Sequence, residues 1–402
     1  MPVTVADVAT VPVLDAASAV RVAAELADRF AVTASDRDAE RLLPAAELDQ
    51  LSASGLLAIT VPVEFGGAGL GPVVVAEVTR LLATADPSIA QIPQSHFAYV
   101  NALRENGTPA QQRFLLREVL AGKRFGNAQS EVGTQHVRDL RTTLHPDGGE
   151  SWLLRGEKGY STGALFAHWI PVLAHLDVDG PLHVAWVERD ADGVTVVDDW
   201  SGMGQRTTAS GTVRLDDVRV ADALITPYHL TFERPQVYGA WAQLVHSAID
   251  AGIARGALTD AARFVREKSR PYPDAQVARA GDDPLIVQRF GTFELQLRAA
   301  EALLATAARA VEAAEVELTA ESAGAASLAV AAARASSAAA AVEISSGLFD
   351  VAGTRSALDG LNLHRHWRNA RTHTLHDPAT WKVQHLGRYA VDGTLPPNHG
   401  QI

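Results

Sequence analysis

"GEKGYSTGA", Gly156 to Ala164, sits near the middle of the 402-residue chain, and its reading decides the fold. Tyr160, Ser161 and Thr162 stand together between glycines, so an aromatic face and hydroxyl donors can reach one ligand where a strand ends. On local grounds a strand running into an ordinary turn explains the stretch as well. Its surroundings are strand-like. From roughly Phe125 to Ile225 come short runs rich in Val, Trp, Leu and Thr, "SWLLRG", "HWIPVLAHL", "HVAWVER" and "TVRLDDVRV", separated by Asp147-Gly148-Gly149 and Asp192-Gly193. These predict a compact β domain.

Outward from that domain the period changes. From about Ala16 to Leu120, "SAVRVAAELADRF", "AAELDQLSASGLL" and "TPAQQRFLLREVLAG" repeat apolar residues three and four apart, as amphipathic helices do. Thr108 before Pro109 reads as an N-cap followed by proline at the first helical position. After Pro235 the helical pattern returns, with "GIARGALTDAARFVRE" and an alanine-rich run from Phe293 to about Ile344. Alanine favours helix, and small residues let helices approach closely, so that run predicts a bundle core. The expectation is an α+β chain in three parts: N-terminal helices (1–124), a central β domain (125–228) and a C-terminal helical bundle (229–402).

Composition narrows the chemistry. The chain has no cysteine, which excludes disulfides, thiolate nucleophiles and cysteine-ligated metal or iron–sulfur centres. Any redox chemistry must then come from a bound cofactor. With 35 Lys and Arg against 47 Asp and Glu, the formal charge of -12 argues against nucleic-acid binding. The opening "MPVTVADVATVPVLDAASAV" has no basic region, and no uninterrupted apolar run reaches spanning length, so no membrane association and a cytoplasmic location are expected. "LLAITVPVEFGGAGLGPVVVAEVTRLL" imitates a dinucleotide-binding loop, but after Gly67 and Gly69 the third required position is Pro72. A glycine-rich turn between packed helices is expected instead, with no nicotinamide site.

"FGNAQSEVG" (Phe125 to Gly133) brings small and hydroxyl-bearing residues together where the β domain opens, a loop suited to approach a planar cofactor edge. "DDWSGMGQRTTASGTVRLDDVRV" adds Trp200 and Arg206 near a rim. Taken in order, "LSASGLLAITVPVEFGGAGL", "NAQSEVG", "GEKGYSTGA" and "GMGQRTTASGTVRLDDVRV" resemble the acyl-CoA dehydrogenase superfamily over nearly the full length. The resemblance implies a flavoprotein with N-terminal helices, a central β domain and a C-terminal four-helix bundle, normally a homotetramer.

"LHRHWRNARTHTLHDP", Leu363 to Pro378, gathers His364, His366, His373 and His376. His373 and His376 with Asp377 have plausible metal spacing. In the dehydrogenases the α-proton is commonly removed by a glutamate, whose stretch falls here on His376, Asp377, Pro378 and Ala379. Asp377 is one methylene shorter and Pro378 replaces the glycine, so the match is poor. "WRNARTHTLHDPATWK", "KSRPYPDAQVARAGDDP" and the closing "LPPNHGQI" resemble instead the flavin-dependent monooxygenase branch, the dibenzothiophene monooxygenases and sulfur-acquisition oxidoreductases.

That resemblance implies oxygen activation on reduced FMN delivered by a separate NAD(P)H:flavin reductase, and transfer of one oxygen atom from O2 to a small organosulfur compound. FAD is the less favoured flavin. His376 falls beside the reactive edge of the flavin, with His373 near it, which accounts for both without a metal. Thr162, Ser130 and Asn127 are placed to contact the ring, and Tyr160 and Trp200 to wall it. Arg270 matches an arginine serving the cofactor phosphate across a subunit boundary, with Gly353 and Thr354 offering backbone amides. His96 and Tyr99 are substrate-side candidates, and His364 and His366 are expected to be exposed or hydrogen-bonded. Two alternatives stay open: an FAD-dependent acyl-CoA dehydrogenase and a non-catalytic flavin-binding or scaffold protein.

Overall fold

The computed structural model describes residues 10–402, so the first nine residues of the opening stretch lie outside the described residues. Seven helices come first: α1 (Ala16–Ala31), α2 (Ala34–Glu40), α3 (Ala45–Ala53), α4 (Pro72–Ala85), α5 (Pro87–Gln91), α6 (Gln94–Asn106) and α7 (Pro109–Leu120). α1 buries Ala19, Ala23, Leu26, Ala27 and Phe30, one face at helical spacing, and its first turn is capped by Asp15 accepting from the Ser18 amide. Thr108 and Gln111 close a reciprocal capping box on α7, with Pro109 at its first position. The glycine-rich decoy forms no strand. Its backbone folds back through Gly69 N–H to Val61 O and Leu70 N–H to Ile59 O, both 2.8 Å, and Pro72 opens α4.

The sheet follows with β1 (Thr143–Pro146), β2 (Ser151–Lys158), β3 (Trp169–Leu176), β4 (Leu182–Glu188), β5 (Val194–Val197), β6 (Thr212–Ala221) and β7 (Ile225–Thr226). Their order across the sheet is β5-β6-β2-β1-β3-β4-β7, antiparallel except where β1 runs parallel to β3. The four β-rich runs of the sequence are β2, β3, β4 and β6. Phe125 and Ala128 make parallel bridges to Trp169 and Val172, so "FGNAQS" travels beside β3. It can do so because Gly126 has no side chain: a Cβ there would lie 2.9 Å from both Ala164 Cα and Ala167 Cβ.

Five helices complete the chain: α8 (Tyr238–Glu267), α9 (Pro284–Val316), α10 (Ala320–Ala352), α11 (His364–His373) and α12 (Ala379–Asp392). The alanine-rich run becomes α9 and α10, which pack with α8 around Phe293, Leu297, Leu304, Val330, Ile344 and Leu348. α10 is long and apolar enough to cross a membrane, yet most of its apolar window is buried inside the bundle. α4 joins the same core. Gly252 on α8 permits that approach, since a Cβ would meet Ala83 Cβ at 2.5 Å and Arg80 O at 2.6 Å. A second cluster, with Tyr99, Leu103, Leu115, Phe125, Trp169 and Trp186, fastens α6 and α7 to the sheet. The helical parts and the sheet thereby meet around one cavity.

Candidate active site

The cavity encloses about 640 Å³, within the range typical of small-molecule and cofactor sites. The loops before β1, after β2 and before β6 form one wall and α6, α8, α11 and the turn after α11 the other. Glu131 sets the strand-side wall. Its carboxylate accepts from Lys158 Nζ at 2.7 Å, from Thr142 Oγ1 at 2.7 Å and from the Thr142 amide at 3.0 Å. Lys158 is fully buried, and burial pulls its pKa down to about 8 despite the carboxylate. The ion pair ties the Ser130 loop to the end of β2, and Gly159 N–H donates to Ser130 O at 3.0 Å.

Beyond Lys158 the chain turns sharply. Tyr160 takes the left-handed conformation (φ 52°), Asn127 Nδ2 donates to its carbonyl at 3.4 Å, and its ring meets Trp200 edge-on at 6.3 Å. Thr162 Oγ1 lies 2.7 Å from Ser210 Oγ, which lies 2.7 Å from Thr208 Oγ1. Hydroxyls, amides and two aromatic rings therefore share one wall.

On the helical side, α8 contributes His246 and Asp250 and α11 contributes His373, all buried. His373 Nδ1 lies 2.6 Å from Asp250 Oδ1, and His373 Nε2 lies 3.0 Å from His246 Nδ1. Arg334, the lone basic residue of α10, pairs with the other oxygen of Asp250. Burial pushes the Asp250 carboxyl up, but Arg334 and His373 outweigh it and hold it below the usual carboxylate range. The His376 ring stacks on His246 with centroids 4.1 Å apart. His376 is exposed, with the cavity it lines as its outlet. Desolvation and the neighbouring positive groups pull His376 down to about 4 and His246 well below its ordinary value. Both imidazoles are neutral at physiological pH.

Of the residues expected from sequence, Asn127, Ser130, Tyr160, Thr162, Trp200, Tyr99, His373 and His376 line this one cavity. His96 is not among them. Its Nδ1 accepts from the Phe125 amide at 3.1 Å and its Nε2 donates to Leu57 O at 2.8 Å, so both nitrogens are spent bracing α6. Arg270, Gly353 and Thr354 are exposed at the bundle end, away from the cavity. They come near one another there, because Ser269 Oγ donates to Ala352 O and Arg355 to Lys268 O. Arg270 forms no ion pair among the described residues. His366 is buried against Asp260 at 2.8 Å and His364 reaches Asp359 at 3.1 Å. Asp377 is held by buried Lys382 at 2.7 Å.

Sequence reading missed His246, Asp250 and Arg334. The available signals were slight: a His and an Asp four apart in the otherwise apolar "LVHSAIDAG", and one arginine inside an alanine run.

The cavity also holds polar atoms that no protein group satisfies: Gln91 Oε1, Tyr99 OH, Asn127 Oδ1, Gln205 Nε2, Gln243 Oε1 and Thr372 Oγ1. Buried polar atoms without partners are costly, so this wall of mixed donors and acceptors is made for a polar ligand. A flat heterocycle edged with alternating carbonyls and ring nitrogens, as in a flavin, fits it.

Helices, a seven-stranded sheet and a long-helix bundle around such a cavity define an acyl-CoA dehydrogenase-type flavoprotein fold. The chain belongs to the acyl-CoA dehydrogenase family: its N-terminal, middle and C-terminal domain models match residues 17–123, 125–218 and 244–381. Relatives that it matches over nearly the full length include monooxygenases. It is 32% identical to a dibenzothiophene monooxygenase of Mycolicibacterium goodii, over 94% of each chain. It superimposes on FMN-bound TdsC of Paenibacillus sp. A11-2 with a TM-score of 0.90, at 32% identity, covering 96% of this chain and 100% of that one. For methanesulfinate monooxygenase MsuC of Pseudomonas fluorescens the TM-score is 0.88, at 31% identity, covering 95% and 99%.

Proposed function

We propose that this chain is a reduced-FMN-dependent monooxygenase that transfers one oxygen atom from O2 to a small organosulfur compound of the sulfone, sulfinate or thiophene type, in sulfur acquisition. The observation that carries this reading is the facing of His376, neutral and stacked on His246, with the hydroxyl and amide wall of Asn127, Ser130, Thr162 and Ser210 across one flavin-sized cavity. Reduced FMN, when bound, supplies the electrons that split dioxygen between product and water.

The chain's own residues do the rest. Asn127, Ser130 and Thr162 hold the ring by hydrogen bonds, and Tyr160 and Trp200 close its outer side against water. Tyr99, whose hydroxyl has no protein partner, faces the substrate. His376 holds or moves a proton at a ring nitrogen, a task that suits an imidazole neutral at physiological pH. Arg270, Gly353 and Thr354 serve the cofactor phosphate of a neighbouring subunit, which agrees with their exposure at the bundle end.

A homotetramer is part of the proposal. It is supported by apolar side chains left uncovered on α9 and α12, including Leu285, Leu295, Trp381 and Val383. A separate NAD(P)H:flavin reductase supplies the reduced flavin, in keeping with the dinucleotide-like loop of the sequence being a turn into α4. The setting is cytoplasmic. The pairing of Asp377 with Lys382 weighs against the dehydrogenase alternative, which needs a free carboxylate base. Anaerobic titration with reduced FMN and reduced FAD, followed by addition of an acyl-CoA to the oxidised complex, separates the two. Tighter binding of FMN and no bleaching by acyl-CoA support the monooxygenase; bleaching would replace it.

A further inference from the structure

The buried chain Arg334, Asp250, His373, His246 specifies the protonation state of its last member. Asp250 is a carboxylate held ionised by Arg334, so it only accepts hydrogen bonds, and His373 must carry its proton on Nδ1 to bond it at 2.6 Å. In a neutral His373 that leaves Nε2 as a lone pair. The 3.0 Å contact to His246 Nδ1 then requires the proton on His246 Nδ1. His246 Nε2 is consequently unprotonated. It has no partner among the described residues, and the residue lines the cavity.

The groups around the pair come from every element packed on it. α8 gives Asp250, α10 gives Arg334, α11 gives His373, the following turn gives His376 and Asp377, and α12 gives Lys382. Arg334 and Asp250 balance each other, as do Lys382 and Asp377. The imidazoles are left as the movable charges.

We propose that His246 is a second proton-handling residue of this cavity beside His376, with His373 as the carrier behind it and Asp250 as a positioning residue. The reading rests on the proposed function for its reaction but not for its geometry. In the step, a hydroxyl or water in the cavity gives a proton to His246 Nε2 as the His246 Nδ1 proton passes to His373 Nε2. His373 becomes an imidazolium beside the Asp250 carboxylate, and His246 ends neutral with its proton on Nε2. Reversal returns the proton to the cavity, so no proton or electron is gained or lost overall. A proton can thus be stored beneath the site without placing charge on the ring stacked against His376.

The first test uses the flavin-free full-length protein labelled with 15N-histidine. Solid-state NMR difference spectra of wild type against His246→Gln and His373→Gln assign both rings. The account predicts Nδ1–H and bare Nε2 on both, the tautomer less populated in free histidine. A proton on His246 Nε2 would overturn the proposal, whatever the substrate. The second test is single turnover with reduced FMN: His246→Gln should keep flavin affinity and lose about a hundredfold or more in rate. Asp250→Asn should lower kcat with KM held and weaken the solvent isotope effect. Full-rate turnover by His246→Gln would also overturn the assignment. If wild-type protein oxygenates no sulfur compound, the proposed function fails and the tautomers alone decide the relay.

Discussion

His376 is the residue on which the proposed chemistry turns, because it combines access to the cavity with a proton affinity lowered by desolvation against the cavity wall and by positive neighbours. His376→Ala removes that group while leaving the hydroxyl wall of Thr162, Ser210 and Thr208 in place. The expected outcome is flavin binding within a few-fold of wild type by fluorescence titration and a turnover rate lower by about a hundredfold. What was legible at this scale was local. Asn127, Ser130, Tyr160 and Thr162 occupy two short motifs, and His373 and His376 sit three apart, so a linear pattern and a family resemblance single them out as candidates, which come to line one cavity. Their partners are remote. Asp250 meets Arg334 across 84 positions and His373 across 123, and His246 meets His373 across 127. No local pattern encodes such contacts, and the same distance explains why His96 looked available when Phe125 and Leu57 had already claimed it.

At the scale of elements, the cavity depends on how β2 ends. Lys158, its last residue, is buried with Glu131 and holds the Ser130 loop against the sheet. Lys158→Met leaves Glu131 buried without its cation, and losing one partner of a buried pair costs about 3–5 kcal/mol. Chemical denaturation should show that loss. If the midpoint were unchanged, the pair would have no part in holding the loop. β2, β3, β4 and β6 were readable from β-branched and aromatic content. β1 and β5, four residues each, and β7, two residues, were not, because so short a pairing is dictated by neighbouring strands rather than by its own composition. The alanine-rich run announced helix and close packing, but the turn at Glu317 to Thr319 that divides α9 from α10 carries no glycine or proline.

For the molecule as a whole, a buried neutral histidine ties folding to pH. His96 takes up a proton at about 4 in the folded chain and near 6.5 when unfolded. Its contribution is therefore complete above about 6.5 and is lost as pH falls through about 4. For this fully buried ring the loss is about 3 kcal/mol. Thermal melts should stay level near neutrality and fall steeply between pH 6.5 and 4, and His96→Gln should flatten part of that slope. The three parts of the chain were legible from their periodicities, whereas the cavity they enclose exists only once α6, α8 and α11 are set against the loops before β1, after β2 and before β6. Oxygen transfer within that cavity is the central claim, and isotopic labelling tests it most directly. Reduced FMN bound to the protein without oxygen is mixed with 18O2 and a panel of thiophenes, sulfones and sulfinates, and the products are weighed by mass spectrometry. The account predicts one 18O atom in the sulfur product and the other in water; products free of 18O, or hydrogen peroxide alone across the whole panel, would contradict it.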